Sequence, residues 1–314
     1  MSAVAVLGYE AVVSAVPPEK AIAVTRDAFV RHHLGEWSMP PKLYLDSPPY
    51  GDFRAMPALG DGLAILKWVT SFPGNRGTGI PTVTGVVCVS DGRTGEPLML
   101  MDARAVTALR TGAAAAVATV ALGPAGRDVG VVGCGVHGSW AARCLHVAGY
   151  GPGVCADPDA GAAAALAGEL GWSVGTTTDA LGASVVCCVT PGRAPVVDES
   201  RLHPAMHLNM LGADGPGKAE ATVGAVARCH LFCDEWAQAS HGGELTGAVR
   251  AGVVGRADVT ELGAVLVGQA EGRRDREEVT MFDSTGLAIQ DLAIAGAALR
   301  AWREGAVDAQ TADF

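Results

Sequence analysis

The amino-acid sequence predicts an α/β protein in which a doubly wound parallel sheet is combined with a separate N-terminal α+β domain. Residues 39–100 hold short alternating runs of apolar and polar residues, which are typical of an antiparallel sheet with tight turns. From residue 128, unbroken apolar runs alternate with helical segments, as in a parallel sheet covered on both faces. A complete glycine motif begins only at Gly133 of the 314 residues, so a separate domain precedes it.

The elements of the first domain follow from its turn residues and its periodicity. Residues 17–35 predict a helix because two prolines begin it, apolar residues recur every three or four positions, and Gly35 ends it. The alanine-rich stretch 103–122 predicts a second helix. Between them, Pro, Gly and Asp-Gly turns separate the predicted strands KLYLD, GLAILKWV, TVTGVVCVSD and EPLMLMD.

The second domain alternates strands with helical or loop segments. The last part of the chain predicts one long helix whose N-cap region is Asp283-Ser284-Thr285. We expect this helix to rejoin the first domain, with residues 1–120 and 284–314 in one domain, residues 121–283 in the other, and a cleft between them. The predicted strands of the second domain are VGVVG, GVCAD, SVVCCVT, MHLNMLGA and CHLFCD.

Gly133, Gly135 and Gly138 form a G-x-G-x-x-G motif between an apolar strand and a helical segment. The first glycine permits a tight turn, the second lets the backbone approach a pyrophosphate, and the third lets the helix pack on the strand. The next strand ends in Asp157, 24 residues after Gly133. An acid there can bond the ribose hydroxyls of NAD and repels the 2′-phosphate of NADP. The motif predicts a Rossmann-type domain that binds NAD.

Composition limits the class of protein. The net charge of −10 argues against a nucleic-acid partner. No apolar run reaches the roughly 18 residues of a membrane span, and the N-terminus lacks the basic region of a signal peptide, so we expect a cytoplasmic protein. The eight cysteines form no CxxC pair and fit small buried residues in a reducing compartment. Cys229, His230 and Cys233 lack a matching second pair, so we expect no metal site.

Two charged residues occupy positions that invite a chemical explanation. Only four lysines stand among the 23 basic residues, and Lys67 interrupts the apolar run LAILKWVTS. Desolvation there would lower its pKa and make it a proton shuttle near about pH 7–8; the alternative is a salt-bridged or snorkelling structural lysine. Asp214 follows another apolar strand, at an end that faces the ligand crevice of a parallel sheet; the alternative is a turn-forming aspartate.

Eight stretches together resemble the ornithine cyclodeaminase/μ-crystallin family, and within it most resemble the archaeal-type alanine dehydrogenases. The resemblance implies an N-terminal substrate-binding and dimerisation domain, a Rossmann domain that binds NAD, a C-terminal helix that rejoins the first domain, and a homodimer. The stretches run in the same order from about residue 38 to residue 292 and are MPPKLYLD, FRAMPAL, LKWVTSFPGN, LRTGAA, GVVGCGVHG, GADGPGKAE, QASHGGEL and FDSTGLAIQD.

The resemblance also implies roles for individual residues. Lys67 and Asp214 match the catalytic lysine and aspartate of the family, and Arg110 matches an arginine on the carboxylate and cofactor side. Arg54 and Lys42 stand where the cyclodeaminases carry a glutamate and a carboxylate-binding arginine, which favours a small substrate without a positive tail. For Arg54 and Arg110 the alternative is an ordinary surface arginine. The predicted cofactor-binding residues are Gly133, Gly135, Val136, His137, Gly138, Asp157, Thr111, Thr190, Pro191, Leu211 and Ser284.

These observations predict an NAD-dependent oxidoreductase that acts on the CH–NH2 group of a small L-amino acid, in the manner of an alanine dehydrogenase. Hydride would pass to the nicotinamide, and water would add to the resulting imine with help from Asp214 and Lys67. Arg54, Arg110 and Lys42 would hold the carboxylate. Three alternatives stay open: cyclodeamination of ornithine or lysine, reduction of a cyclic ketimine, and non-catalytic binding. Replacement of Lys67 or Asp214 would have favoured binding alone, and both are present.

Overall fold

A computed structural model describes residues 3–313 except residues 193 and 216. The strands of the described residues are β1 (Ala3–Leu7), β2 (Leu43–Ser47), β3 (Gly51–Gly60), β4 (Leu63–Ser71), β5 (Val83–Asp91), β6 (Pro97–Asp102), β7 (Val129–Val132), β8 (Gly153–Ala156), β9 (Ser173–Val174), β10 (Val185–Cys188), β11 (His207–Met210), β12 (His230–Cys233), β13 (Val259–Glu261), β14 (Thr280–Asp283) and β15 (Gln310–Asp313).

The helices of the same residues are α1 (Tyr9–Ala15), α2 (Pro18–His33), α3 (Ala103–Leu122), α4 (Val136–Val147), α5 (Ala160–Leu170), α6 (Thr177–Leu181), α7 (Val223–Val226), α8 (Trp236–Gly242), α9 (Thr246–Arg250), α10 (Leu262–Leu266) and α11 (Ala288–Arg303).

The chain divides into two compact units. The first comprises Met1–Arg110 and Leu287–Phe314, and the second comprises Thr111–Gly286. The first boundary lies inside helix α3, whereas the sequence placed it after residue 120. The second boundary lies after Gly286, whereas the sequence placed it after residue 283. Helix α11 belongs to the first unit, where it packs on α2, β3 and β4.

The first unit is built on a seven-stranded sheet in the order β15-β1-β6-β5-β4-β3-β2. Strands β2 to β6 form an antiparallel meander, and β1 adds to β6 in parallel. On β4 the residues Ile65, Lys67 and Val69 are buried whereas Leu66 is exposed. This period of two places Lys67 on the inner face of the sheet among apolar neighbours.

The second unit contains an eight-stranded, all-parallel sheet in the order β13-β12-β14-β11-β10-β7-β8-β9. The order β9-β8-β7-β10-β11 is the doubly wound Rossmann arrangement, in which ligands bind at the carboxyl ends of the strands where the winding reverses. Strands β7, β10, β11 and β14 are buried along their whole length, as expected for a sheet covered on both faces. The predicted fold class is confirmed.

The predicted start of the last helix was wrong. Asp283 is the last residue of strand β14, and the helix begins at Ala288 with Leu287 as its N-cap. The backbone N–H of Leu287 donates to Gln290 Oε1 at 3.1 Å, so the glutamine side chain does the capping. Asp283, Ser284 and Thr285 are common N-cap residue types, which is why the sequence pointed to them.

Helix α3 is, among the described residues, the one helix that is long and apolar enough to cross a membrane. Within its most apolar window, 83% of the residues are buried inside the protein. Its Gly112 lets a neighbouring helix approach closely, because a Cβ there would collide with the backbone oxygen of Trp140 in α4. This burial is that of a core helix.

Candidate active site

The glycine motif of the second unit forms the turn between β7 and α4. Gly133 has a φ of +99°, and a Cβ there would collide with the backbone oxygen of Val189 after β10. A Cβ at Gly138 would collide with the backbone oxygen of Gly133, so the helix packs tightly on the turn. Gly135, the N-cap of α4, has no atom within 4 Å of its would-be Cβ. The three glycines thus have the two packing roles and the one open position that a dinucleotide turn needs.

Asp157 directly follows β8 and contacts this turn. Its Oδ2 accepts a hydrogen bond from Cys134 N at 2.7 Å, and its Oδ1 accepts one from Asp159 N at 2.7 Å. Both bonds fix the carboxylate at the edge of the glycine turn. Val136 is 58% exposed and His137 is half-buried at the start of α4, next to the same turn.

Other predicted cofactor residues follow the carboxyl ends of neighbouring strands. Thr190 and Pro191 follow β10, Leu211 follows β11, and Ser284 follows β14. Because these strands run parallel to β7 in the same sheet, the residues share one edge of the sheet with the glycine turn. Ser284 Oγ is buried and makes no hydrogen bond to any described residue. An unsatisfied buried hydroxyl at a ligand-binding edge indicates a partner supplied by a ligand.

Asp214 lies in the loop after β11, at the same edge. Its Oδ1 accepts a hydrogen bond from Lys218 Nζ at 2.5 Å, and both side chains are about one-third exposed, at 36% and 34%. The predicted site residues therefore fall into two sets. The set in the second unit includes Asp214, Thr111 and the glycine turn, and the set in the first unit contains Lys67, Arg54, Arg110 and Lys42.

Lys67 forms a fully buried ion pair in the first unit. Its Nζ lies 2.6 Å from Asp291 Oδ2 of α11, and the two side chains are 1% and 0% exposed. Thr107 of α3 accepts a hydrogen bond from the same Nζ at 3.4 Å. Burial lowers the pKa of Lys67 to about 7, against the attraction of Asp291, and the nearby charges of Arg110 and Lys42 lower that pKa further. Lys67 is 1% exposed, in agreement with the expectation that this lysine is desolvated.

Arg110 shares the carboxylate with Lys67. Its Nε lies 3.7 Å from Asp291 Oδ1 and makes no hydrogen bond to the described residues, although its side chain is only 11% exposed. One carboxylate therefore faces two cations. The excess of positive charge, together with the unsatisfied Nε, is suited to the carboxylate of a small acid.

Arg54 is 9% exposed on β3, on the same sheet face as Lys67. Its Nε lies 2.6 Å from Asp52 Oδ1, and its guanidinium stacks 5.3 Å from the ring centroid of Tyr44. The alternative of an ordinary surface arginine does not hold for either Arg54 or Arg110, since both are largely buried. Lys42 lies half-buried immediately before β2.

Sequence reasoning missed Asp291. A signal was present: Asp291 is the one charged residue between Asp283 and Arg300, in a stretch that is mostly apolar or small. Lys67 has the corresponding position with the opposite charge, since it is the one charged residue in the run LAILKWVTS. An acid and a base that each interrupt an apolar element predict a buried pair when the two elements pack together.

The cysteines and histidines of the second unit have other contacts. Cys229 Sγ donates to Ala225 O at 3.3 Å, and His230 Nδ1 lies 3.1 Å from Glu278 Oε1. No group of three or more metal-ligating side chains was found in the part of the chain that the structure describes.

Comparison with known proteins agrees with this geometry. The family model described as ornithine cyclodeaminase/mu-crystallin family matches residues 4–306. The chain is 40% identical over 298 residues to an alanine dehydrogenase of Archaeoglobus fulgidus, with 92% of each chain covered. It is 35% identical over 244 residues to an iminosuccinate reductase of Paracoccus denitrificans, covering 74% of this chain and 75% of the relative.

A solved structure of an archaeal alanine dehydrogenase dimer with bound NAD covers 100% of both chains, with a TM-score of 0.94 at 36% identity. The match of the family model over almost the whole chain, the level of identity and the shared fold leave one conclusion. The chain belongs to the ornithine cyclodeaminase/mu-crystallin family.

Proposed function

We propose that this protein is an NAD-dependent oxidoreductase that acts on the CH–NH2 group of a small L-amino acid, by oxidative deamination or the reverse reductive amination. The observation that carries the proposal is the buried Lys67–Asp291 pair with Arg110 beside it. It combines an amine whose pKa is about 7 with an excess of positive charge. Those are the requirements for holding an amino-acid carboxylate and moving a proton at its nitrogen.

The glycine turn fits NAD. The open space at Gly135 and the free N-terminus of α4 suit a pyrophosphate, and the carboxylate of Asp157 suits ribose hydroxyls rather than a 2′-phosphate. The unsatisfied hydroxyl of Ser284 is suited to a polar group of the nicotinamide end. When bound, NAD would take up a hydride from the α-carbon of the amino acid or return it to an imine. NAD-bound archaeal alanine dehydrogenase supports this assignment by its similarity.

The protein side of the reaction is proton transfer and orientation. In its neutral form Lys67 accepts a proton released at the substrate nitrogen or from the water that adds to the imine; in the reverse direction it returns that proton. Arg110, Arg54 and Lys42 hold the substrate carboxylate. Asp214 positions the water and the leaving ammonia. One amino acid, one NAD⁺ and one water give a 2-oxo acid, ammonium, NADH and one proton.

A small substrate is favoured because the cluster offers cations and no spare acid. Asp291 already forms ion pairs with Lys67 and Arg110, and Asp52 forms one with Arg54. Ornithine and lysine carry a second amine, which needs an acidic partner. Cyclodeamination is therefore the weaker candidate.

Reduction of a preformed imine is the second candidate function. The similarity to an iminosuccinate reductase favours it, since that relative covers three-quarters of the chain. The same Lys67 would then supply a proton to the imine, and no water would be needed. A purely binding, crystallin-like role is the weaker candidate because both Lys67 and Asp214, the residues that the proposed reaction needs, are present.

We also propose a cytoplasmic homodimer. The outer face of the first sheet exposes an apolar surface on the side opposite Lys67, with Leu43 at 60%, Leu45 at 55%, Leu66 at 43% and Val86 at 38% exposure. A contiguous apolar face of this kind is typical of an interface between copies. All eight cysteines are free thiols, which suits a reducing compartment. Light scattering after gel filtration should give twice the chain mass of 31.8 kDa. The Leu66→Lys variant should give the mass of a single chain.

The proposed reaction is tested by NADH oxidation with pyruvate plus ammonia, beside a parallel run with Δ1-pyrroline-2-carboxylate. Turnover that requires both pyruvate and ammonia supports amino-acid dehydrogenation, and a series of 2-oxo acids then measures the side-chain preference. Turnover with the ketimine alone would replace the proposal by imine reduction. The absence of turnover in both runs, for a protein that binds NADH, would contradict it in favour of cyclodeamination or binding.

A further inference from the structure

Glu220 lies at the junction of the two loops that follow β10 and β11, and it is fully buried. Its Oε1 accepts a hydrogen bond from Thr190 N at 2.5 Å, and its Oε2 accepts one from Gly212 N at 2.7 Å. A single carboxylate thus bridges the first residues of both loops. Hydrogen bonds from backbone N–H groups to a buried carboxylate are among the stronger ones in proteins.

The backbone of Glu220 is engaged as completely as its side chain. Its N–H donates to the carboxylate of Glu244 at 3.0 and 2.9 Å, and its carbonyl accepts from Val196 N at 2.7 Å and Val197 N at 3.0 Å. Each polar group of this residue therefore has a partner. Burial raises the pKa of Glu220 while the N–H groups of Thr190 and Gly212 oppose that rise, so the carboxylate depends on both loops for its stabilisation.

The two bridged loops contact each other, and the loop after β10 also contacts the glycine turn. A Cβ at Gly212 would collide with the backbone oxygen of Thr190 and would lie 2.7 Å from the Glu220 carboxyl group. Just before Thr190, Val189 N donates to Val132 O at 2.8 Å, and Val189 O abuts Gly133. The loop after β10 is thereby fixed against the dinucleotide turn. The loop after β11 carries Asp214 and is closed at its base by the contact between Gly212 and Glu220.

We propose that Glu220 is a positioning residue that clamps these two loops, so that one carboxylate sets both the cofactor-side backbone at Thr190 and the loop that presents Asp214. The inference rests on the proposed function, because that function assigns the loops to cofactor and substrate. A neutral amide in place of the carboxylate can accept from one N–H, but its NH2 group repels the other. Glu220→Gln therefore releases one loop while it keeps the size of the side chain.

The test uses the full-length protein and two readouts. The first is the dissociation constant of NADH, measured by fluorescence at a temperature where each variant is folded. Glu220→Gln should weaken NADH binding by about tenfold, the effect of one lost hydrogen bond to a charged group, and should raise KM for the amino acid or imine substrate. Glu220→Asp, which keeps both acceptor oxygens, should regain part of that loss. Glu278→Gln is the matched control, since Glu278 also accepts from a backbone N–H, that of Arg274 at 2.9 Å, and lies before β14, outside both loops.

The second readout is amide hydrogen exchange on the wild-type protein, which needs no variant. The amides of Thr190 and Gly212 should exchange far more slowly than that of the exposed loop residue Gly217. Exchange of both amides as fast as Gly217 would overturn the clamp. So would a Glu220→Gln protein that binds NADH as tightly as the wild type and keeps its KM. Failure of wild-type protein to bind NADH would instead refute the proposed function, with the exchange result still standing on its own.

Discussion

At the scale of single residues, the proposed function depends on three buried charged groups of the first unit. Lys67, Asp291 and Arg110 are each 11% exposed or less, and a lone carboxylate balances two cations. Burial removes the preference of Lys67 for its charged form, while the 2.6 Å contact with Asp291 restores part of it. The balance between these two effects places the pKa of Lys67 near neutrality, where proton transfer is most useful.

Removal of the carboxylate should shift that balance in a known direction. In Asp291→Asn the attraction that raises the pKa of Lys67 is gone, whereas burial, Arg110 and Lys42 still lower it. The pH at which kcat/KM for amino-acid oxidation reaches half of its plateau should fall below about 7, by roughly one unit or more. The measurement is the pH dependence of kcat/KM.

Asp27→Asn is the control for this change, since Asp27 pairs with Arg31 on the surface of the same unit at 2.7 Å. It should leave the pH profile unchanged. Loss of one partner of a buried pair is costly, about 3–5 kcal/mol, so thermal unfolding is recorded to show that the Asn variant is folded. A folded Asp291→Asn enzyme with the wild-type pH profile would show that the pair does not tune Lys67.

Of the buried charged residues, Lys67 could be predicted from the sequence, whereas Asp291 and Glu220 were not. Lys67 was predicted because a lysine inside an apolar strand is rare, and its burial and lowered pKa agree with that expectation. Asp291 was missed although it is the one charged residue between Asp283 and Arg300, because the packing of α11 against β4 cannot be deduced from either segment alone. Glu220 was missed for a different reason, since its partners are backbone N–H groups, which leave no trace in the sequence.

At the scale of elements, hydrophobic periodicity predicted long and buried segments well. The helix predicted over 103–122 is α3, with the same bounds, and the five predicted strands of the second domain correspond to β7, β8, β10, β11 and β12. Short strands without a periodic pattern were not predicted. Strand β14 has four residues and was absorbed into the following helix, and β15 is polar and exposed, held only by pairing with β1.

The glycine turn gives a prediction at this scale. Gly135 has a φ of −68°, which any residue can adopt, and open space at its Cβ position. Gly135→Ala should therefore fold with an unchanged melting temperature and place its methyl where we propose that the pyrophosphate binds. NADH binding should weaken by roughly tenfold, which corresponds to the overpacking of one methyl group. The measurement is NADH titration followed by fluorescence, with a thermal melt on the same sample.

Gly168→Ala on helix α5 is the matched control, because its Cβ also meets no atom within 4 Å and lies far from the turn in sequence. It should keep NADH affinity and add slightly to helix stability, by up to about 1 kcal/mol. Equal NADH affinity of Gly135→Ala and wild type would mean that the pyrophosphate does not approach this turn.

At the scale of the whole molecule, the chain forms two compact units, Met1–Arg110 with Leu287–Phe314 and Thr111–Gly286. The late position of the glycine motif predicted a domain before it, with bounds at residues 120 and 283. The two units differ in the charged side chains that they bury. The first buries a mixed cluster of cations and one carboxylate. The second buries four carboxylates, Glu220, Glu244, Asp234 and Asp283, and backbone N–H groups are prominent among their partners.

These carboxylates make the stability of the second unit depend on pH. Burial raises the pKa of Glu244 from an ordinary 4.5 to about 7, and burial together with Asp234 raises that of Asp283. A carboxyl group whose pKa is raised on folding stabilises the folded state fully below about pH 4.5. That stabilisation is lost as the pH rises through about 7. The melting temperature of wild type minus that of Glu244→Gln should therefore fall between about pH 5 and pH 8.

The exposed Glu304, which follows the last helix, provides the control. The corresponding difference for Glu304→Gln should stay flat over the same pH range. A difference for Glu244→Gln that rises with pH would show that the hydrogen bonds from Glu220 N and Ala221 N outweigh desolvation.

The most direct test of the account is the pH dependence of kcat/KM for L-alanine with NAD⁺, in wild type and in Lys67→Met. Methionine keeps the length and the apolar stem of lysine, removes the proton-carrying amine, and leaves Asp291 paired with Arg110. We expect kcat/KM of the wild type to rise through about pH 7 to a plateau and that of Lys67→Met to be lower by about 100-fold or more at every pH. A folded Lys67→Met enzyme with the wild-type rate and profile would contradict it.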